Sequence, residues 1–500
     1  MRRWTCSNMP STHMAENTEG YIRHSLSSAS RSRLIPVWLW ITLFVVGLLL
    51  YEVLRPGTGD ASQGIVWYLL FIIGSATALT WVCRAEKQFD LFEPLYLVFG
   101  FFIISYPVRA LLAVWLDESW FDPAGAGIWK SLSASALGFA CFAVGYRLVR
   151  SKVSARRRFW LDRDWDFGRA ETVSLVFLFF GLVGFVLLRF LAGSLFYFIL
   201  LDSEIKGPES VSVWFHYIFW MCMLIEVGAL IKFGAWLSTG RRTAWTVVYC
   251  ALGLFSTFLL ARNVTVLFSM MLAVSWHYGR TRIKAVQVAT LSLLLLPYLG
   301  IAGLYREWIS PDLKLSEAAT FAELAGQQGE LVLRYVVANF EQLSNLTEVI
   351  SMTPSELPYQ LGGTFIPVLL KPIPRAWMPS KGPSASVVFS RELLPEAYDK
   401  GLMTNVGAWG ELYLNFSWLG IALGMGLGGA CTAVAYKTMR MTKTFGRLLL
   451  YSSFIVALLS WLRVDSDSAA IYGLHYLIPM VFALAYITNA KPRARQGAYP

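Results

Sequence analysis

Two short runs carry the side chains from which chemistry could be built. Lys371-Pro-Ile-Pro-Arg375-Ala-Trp-Met-Pro379-Ser-Lys381 sets three cations among three prolines, and Gly410-Glu411-Leu-Tyr413-Leu-Asn415-Phe416 follows closely. Proline fixes φ, so cations in such a run are held in place rather than left to wander. Guanidinium groups grip phosphate oxygens in bidentate fashion, and several around one cavity would hold a pyrophosphate. Candidates for that task are Arg375, Lys371, Lys381, Arg306 and Arg334 in the segment before Met403, with Arg109 inside an apolar run and Arg262 and Arg463 at the edges of others. Arg189 and Arg391 are further cations of the same region, for which headgroup contact and a solvated surface are the simpler readings. Arginine in hydrocarbon is costly and normally faces a bundle interior or a wet cavity. Glu411 is placed to accept a hydroxyl proton. As a carboxylate it would equally pair with an arginine and orient it, and that is the simpler single role.

The elements that must position these groups are nearly all apolar. The 500 residues are 56% hydrophobic and 15% aromatic, with a mean hydropathy of +0.52. Apolar runs near the ~20 residues that cross hydrocarbon recur along the chain. They are expected at 34–51, 64–82, 91–116, 128–149, 171–191, 211–233, 244–260, 264–278, 285–303, 417–436, 448–462 and 469–487, twelve in all. Only Ala261-Arg262-Asn263 divides the seventh from the eighth. The expected fold is all-α, a polytopic membrane protein of twelve spans with one large outer loop containing amphipathic helices. A cytoplasmic tail covers 1–33, spans one to nine 34–303, the loop 304–406, spans ten to twelve 407–490, and a second tail 491–500.

Charge orients this series. One set of alternating connections holds Arg2, Arg3, Arg23, Arg31 and Arg33, then Arg84 and Lys87, Arg156-Arg157-Arg158, Arg241-Arg242, Arg280, Arg282 and Lys284, Lys437 to Arg447, and Lys491, Arg493 and Arg495. The opposite set has Arg55, Lys206, Arg262 and Arg463, one apiece. Positive residues mark the cytoplasmic side, so both termini are expected inside and the long loop outside. The net charge of +11 therefore reports membrane orientation, and nucleic acid is not an expected partner.

Inside the loop, Val332, Val336, Phe340, Leu343, Leu346 and Ile350 recur at helical spacing and stop before Pro354, which predicts an amphipathic helix lying on the outer surface as a partial lid. Thr320 and Glu323 fit a capping box for a shorter helix before it. Glu226 is the one acid deep in a span, where a structural hydrogen bond or ion pair is expected. The six cysteines show neither disulfide nor metal spacing, and the five histidines form no HxxH or HExxH pattern.

The runs that carry this chemistry resemble those of the bacterial O-antigen or oligosaccharide repeat-unit polymerases. The resemblance rests on Pro-Arg-x-x-x-Pro-x-Lys (Pro374, Arg375, Pro379, Lys381) and Gly-x-x-Gly-Glu-x-Tyr-x-Asn-Phe (Gly407, Gly410, Glu411, Tyr413, Asn415, Phe416). It covers 369–420; elsewhere the likeness is one of topology. Two departures stand out. That family often continues Asn-Phe-Gly, where this chain has Ser417, and its arginine between spans seven and eight often follows Gly or Ser, where this chain has Ala261.

The resemblance implies a glycosyltransferase of the bacterial inner membrane. Its partners would be undecaprenyl-pyrophosphate-linked oligosaccharide, membrane lipids and a chain-length regulator protein, with no cofactor. Glu411, Arg262 and Arg375 would be catalytic, while Arg109, Arg306, Arg334, Lys371, Lys381, Tyr413, Asn415 and Arg463 would bind pyrophosphate or glycan. No DxD-like acidic pair stands out in the loop, so the expected mechanism is metal-independent. An O-antigen ligase, with similar topology and another acceptor, and a polysaccharide or lipid transporter remain as alternatives.

Overall fold

The computed structural model of the chain describes residues 61–84, 90–115, 126–152, 165–192, 209–239, 244–260, 262–284, 286–288, 290, 340–371, 373, 377–378, 380–393, 395–399, 403–442 and 444–488. These residues are helical, with no strand among them. Both expected tails, the first expected span, nearly all of the ninth, and the Thr320–Glu323 cap lie outside them.

Among the described residues, seven helical stretches are long and apolar enough to cross a membrane, and Tyr68–Cys83 and Ala244–Leu260 are shorter apolar helices. In chain order, α1 is Ala61–Cys83, and α2 (Pro94–Ile103) runs through a π-helical turn (Ile104–Val108) into α3 (Arg109–Trp115). Pro107 lies in that turn. It has no N–H to give the helical ladder, and the wider turn absorbs the missing bond. Then come α4 (Ala126–Lys152), α5 (Phe167–Ala192), α6 (Glu209–Thr239), α7 (Ala244–Leu260) and α8 (Arg262–Gly279). The break expected between the seventh and eighth apolar runs falls between Leu260 and Arg262.

The buried side chains form two clusters. One joins α1, α2, α4 and the later loop elements; the other joins α5 through α8 and the last helix. Helix α5 turns Leu175, Phe179, Leu182, Val186 and Phe190 outward, the face a membrane helix gives to lipid. Glu226 on α6 is fully buried and accepts a hydrogen bond from Tyr476, the structural role its position predicts.

The loop contributes α9 (Gln342–Met352), a short turn (Gly363–Phe365) leading into α10 (Ile366–Leu369), α11 (Ala385–Leu393) and α12 (Pro395–Asp399). Helix α9 realises the C-terminal half of the predicted amphipathic pattern and ends just before Thr353-Pro354. Its apolar face is turned into the bundle. Leu343, Leu346 and Val349 are fully buried, and α9 is wedged against α4 and the next long helix.

That helix, α13 (Gly407–Thr442), begins ten residues before the expected tenth span and breaks at Phe416-Ser417. In an unbroken helix residues 412 and 420 would stand ~12 Å apart along the axis. Here a methyl on Gly420 would strike the Leu412 carbonyl, so the first limb (407–415) folds back on the second (418–442). The second limb lies against α4 with almost no side chain between. A methyl at Gly145 would meet the Gly426 carbonyl, and one at Gly429 the Phe142 carbonyl, the small-residue contact that lets membrane helices approach closely. A hairpin of α14 (Phe445–Arg463) and α15 (Ser466–Thr488) completes the described fold. Helix α14 bridges both clusters: Tyr451, Ile455 and Leu462 belong to one, Leu449 and Val456 to the other.

Candidate functional site

The first turn of α15, the short limb of α13 and the turn before α10 meet around Glu411, which is fully buried. Glu411 Oε2 accepts hydrogen bonds from the backbone N–H of Ser466 (2.6 Å) and from Ser466 Oγ (2.5 Å). Its Oε1 accepts from Thr364 Oγ1 at 3.2 Å. Ser466 Oγ also accepts from Trp461 Nε1 at 3.1 Å, which leaves its proton directed at the carboxylate. Among the described residues the partner of Glu411 is therefore not the expected arginine. The Ser466 N–H at the start of α15 and the hydroxyls of Ser466 and Thr364 occupy its oxygens instead.

Asn415 lies one helical turn after Glu411 and is also fully buried. Its Nδ2 donates to Thr364 Oγ1 (2.7 Å) and to the Glu411 carbonyl (2.8 Å), while its Oδ1 accepts from Gly362 N–H (2.8 Å). The i, i+4 spacing on the limb puts both side chains on one face, and together they pin the 362–364 turn.

A second buried acid, Asp465, caps two helices. Its Oδ1 accepts from Ser468 N–H at the start of α15 (2.8 Å) and its Oδ2 from Ser386 N–H on α11 (2.9 Å). Beside it Asp467 forms an ion pair with Lys371 at 2.7 Å, and both are mostly buried. Lys381 donates to the Leu370 carbonyl at 3.0 Å, tying the end of the basic run to the end of α10. The two runs singled out in the sequence thus converge: Glu411 and Asn415 hold the turn that leads into Lys371, and Lys371 and Lys381 fasten the run itself.

The other candidates divide. Arg463 ends α14, and its carbonyl accepts from Gln342 Nε2 on α9 at 3.3 Å, so its backbone helps close the site. Tyr413 is buried beside Tyr359 and Trp418, with ring centroids 6.4 and 6.2 Å away; it packs in an aromatic group away from the carboxylates. Arg109 is buried at the start of α3, directly after the π-helical turn that packs on α9. Arg262 begins α8, and its side chain lies outside the described residues, as do Arg306, Arg334 and Arg375.

Thr364 and Ser466, the two hydroxyls that hold Glu411, escaped the sequence reading because nothing in their local sequence marks them. A second polar cluster was missed as well. Asp90, between α1 and α2, accepts from Tyr278 Oη on α8 (3.0 Å) and Tyr436 Oη on α13 (2.9 Å), with His277 Nε2 at 3.3 Å. Glu93 nearby accepts from Tyr146 Oη on α4 at 3.0 Å. The available signal was two acids, Asp90 and Glu93, at the start of the apolar run 91–116.

Where the resembling family has glycine after Asn-Phe, Ser417 adopts φ 57°, ψ −148°, a conformation that is essentially glycine's own. Comparison of the chain with protein-family models, with curated proteins and with solved structures finds no match.

Proposed function

We propose that this protein is a polymerase of undecaprenyl-pyrophosphate-linked oligosaccharide repeat units, of an O-antigen, capsule or exopolysaccharide. It would transfer the growing glycan from its lipid pyrophosphate to a sugar hydroxyl of a new lipid-linked repeat unit. The carrying observation is that the second of the two motif runs behind the resemblance is bonded, through Glu411 and Asn415, to Thr364 in the buried turn that leads toward the first. The strained backbone at Ser417, where that family often has glycine, is in keeping with the same reading.

In the reaction the acceptor hydroxyl forms the new bond to the anomeric carbon, the bond to the pyrophosphate breaks, and the departing lipid pyrophosphate keeps the electron pair. Charge builds on that leaving group, and fixed cations in a water-poor cavity stabilise it. Arg375, Arg262 and Lys371 are proposed for that work. Glu411, with both carboxylate oxygens engaged, holds the loop that carries Lys371 and Arg375; it is a positioning residue in this reading. The twelve-span course, the outer placement of the loop, cytoplasmic termini and residence in a bacterial inner membrane belong to the same proposal.

The glycan ladder of a deletion strain tests it. A strain lacking a polymerase keeps a single capped repeat unit, whereas one lacking a ligase keeps none, so the second pattern sinks the proposal. Complementation with Arg375→Lys or Arg262→Lys should restore little polymer, because an ammonium lacks the bidentate fork.

A further inference from the structure

The described residues from Leu361 to Trp377 (361–371, 373 and 377) have two unlike faces. Toward the bundle it turns Thr364, buried to 1%, together with Pro367 and the Lys371 ammonium, bonded to Asp467. Away from it stand Leu361, Ile366, Leu369 and Trp377, exposed by 76%, 52%, 82% and 77%. A soluble surface rarely leaves so much apolar area in one place; a contiguous patch of this kind marks an interaction site.

Two observations say what covers it. The patch continues through Phe416, exposed by 43% at the break, into a stripe on the second limb of α13, where Leu419, Leu423 and Leu427 are exposed by 64%, 59% and 67% at helical spacing on a helix apolar enough to cross a membrane. The join is direct: a methyl on Gly362 would lie 3.3 Å from the Phe416 ring. The backbone of the segment is also equipped for a place short of water. Phe365, Leu370, Lys371 and Ile373 donate their N–H groups to carbonyls within the segment, Gly363 donates to the Gln360 carbonyl just before it, and Gly362 donates to Asn415. Unpaired amides are what keep ordinary loops out of lipid, and tryptophan suits the boundary between hydrocarbon and headgroups.

We infer that 361–371, with Ile373 and Trp377, is a wedge seated in the bilayer interface at this end of the bundle, its occupant being lipid. The site around Glu411 then meets the membrane at headgroup depth, and a ligand reaching Lys371 would arrive from the lipid phase. The inference concerns the membrane seat and holds whether or not the chain is a polymerase.

The test uses the full-length protein in proteoliposomes of phosphatidylethanolamine and phosphatidylglycerol. An environment-sensitive fluorophore is attached at Leu369→Cys, and in a control at Ser355→Cys, with the native cysteines replaced by alanine. Spin-labelled lipids should remove most of the fluorescence at position 369 and little at 355, with iodide acting the other way round. Iodide quenching at 369 equal to that at 355 overturns the inference, and so does protection from both quenchers, which would mean that protein covers the patch. If the cysteine-free chain does not fold, a carbene-generating lipid-tail probe on the native protein replaces the label. Adducts on the wedge as well as on 418–427 are expected, and adducts on the second stretch alone overturn it.

Discussion

Ser417 is the residue most at odds with its own backbone. At φ 57°, ψ −148° it occupies a region that costs a side chain ~1–3 kcal/mol. Ser417→Gly should therefore raise the thermal midpoint of the purified protein without altering its oligosaccharide products; an unchanged or lower midpoint would show that the Ser417 hydroxyl offsets the strain. Glu411 is engaged at both oxygens, by Thr364 on one side and by Ser466 on the other. Glutamine offers a single acceptor oxygen, and its NH2 would have to face one of those donors. We expect Glu411→Gln to cost about 1–3 kcal/mol of stability, the usual price of an unsatisfied buried group, while the folded fraction keeps a substantial part of its turnover. A loss of ~100- to 10,000-fold in protein that remains folded would instead make Glu411 the general base.

Among the elements, the link between α1 and α2 is held by a polar latch. Asp90 reaches α8 through Tyr278 and His277, and α13 through Tyr436. Burial pushes its pKa up, but hydrogen bonds from His277, Tyr436 and Tyr278 outweigh burial and hold the carboxyl below the usual carboxylate value. A depressed folded-state pKa stabilises the protein above the unfolded value, about 3.9 for Asp, and that contribution is lost as pH falls through the folded value. Melting in detergent should then show a loss of stability below about pH 4 that Asp90→Asn largely lacks, together with a lower midpoint for the variant at neutral pH. Equal acid sensitivity of the two proteins would assign the loss to other groups.

For the molecule as a whole, orientation decides which compartment the site faces. Reporter tags after Ser355 should report the outer side, and tags after Arg157 or Lys443 the cytoplasm. A cytoplasmic report at Ser355 would overturn the twelve-span course and the outer placement of Glu411 with it. The same orientation puts the Asp90 latch and the Glu411 site at opposite ends of the bundle, since Asp90 precedes α2 while Ser466 follows α14. Those ends are joined by α13, which carries Glu411 at its start and Tyr436 near its end.

Membrane character and the bounds of most helices were legible along the chain, because both follow from local composition: a run of apolar residues closes its own backbone hydrogen bonds and needs no partner to be recognised. Tyr68, Phe102 and Phe268 read as apolar-run residues and are buried in helices as such a reading requires. The chemistry-bearing runs were equally visible, since proline, cations and a lone carboxylate near a span boundary are features of single stretches. What Glu411 bonds to was not. Thr364 and Ser466 are 47 and 55 residues away from it, and only the fold-back of α13 at Ser417 and the α14–α15 hairpin bring them to one point. What the apolar face of α9 packs against was not legible for a related reason. Periodicity shows that one face of a helix is apolar, but whether that face meets a membrane surface or the flank of α4 depends on the room that Gly127 and its neighbours leave, which is a property of the packed bundle.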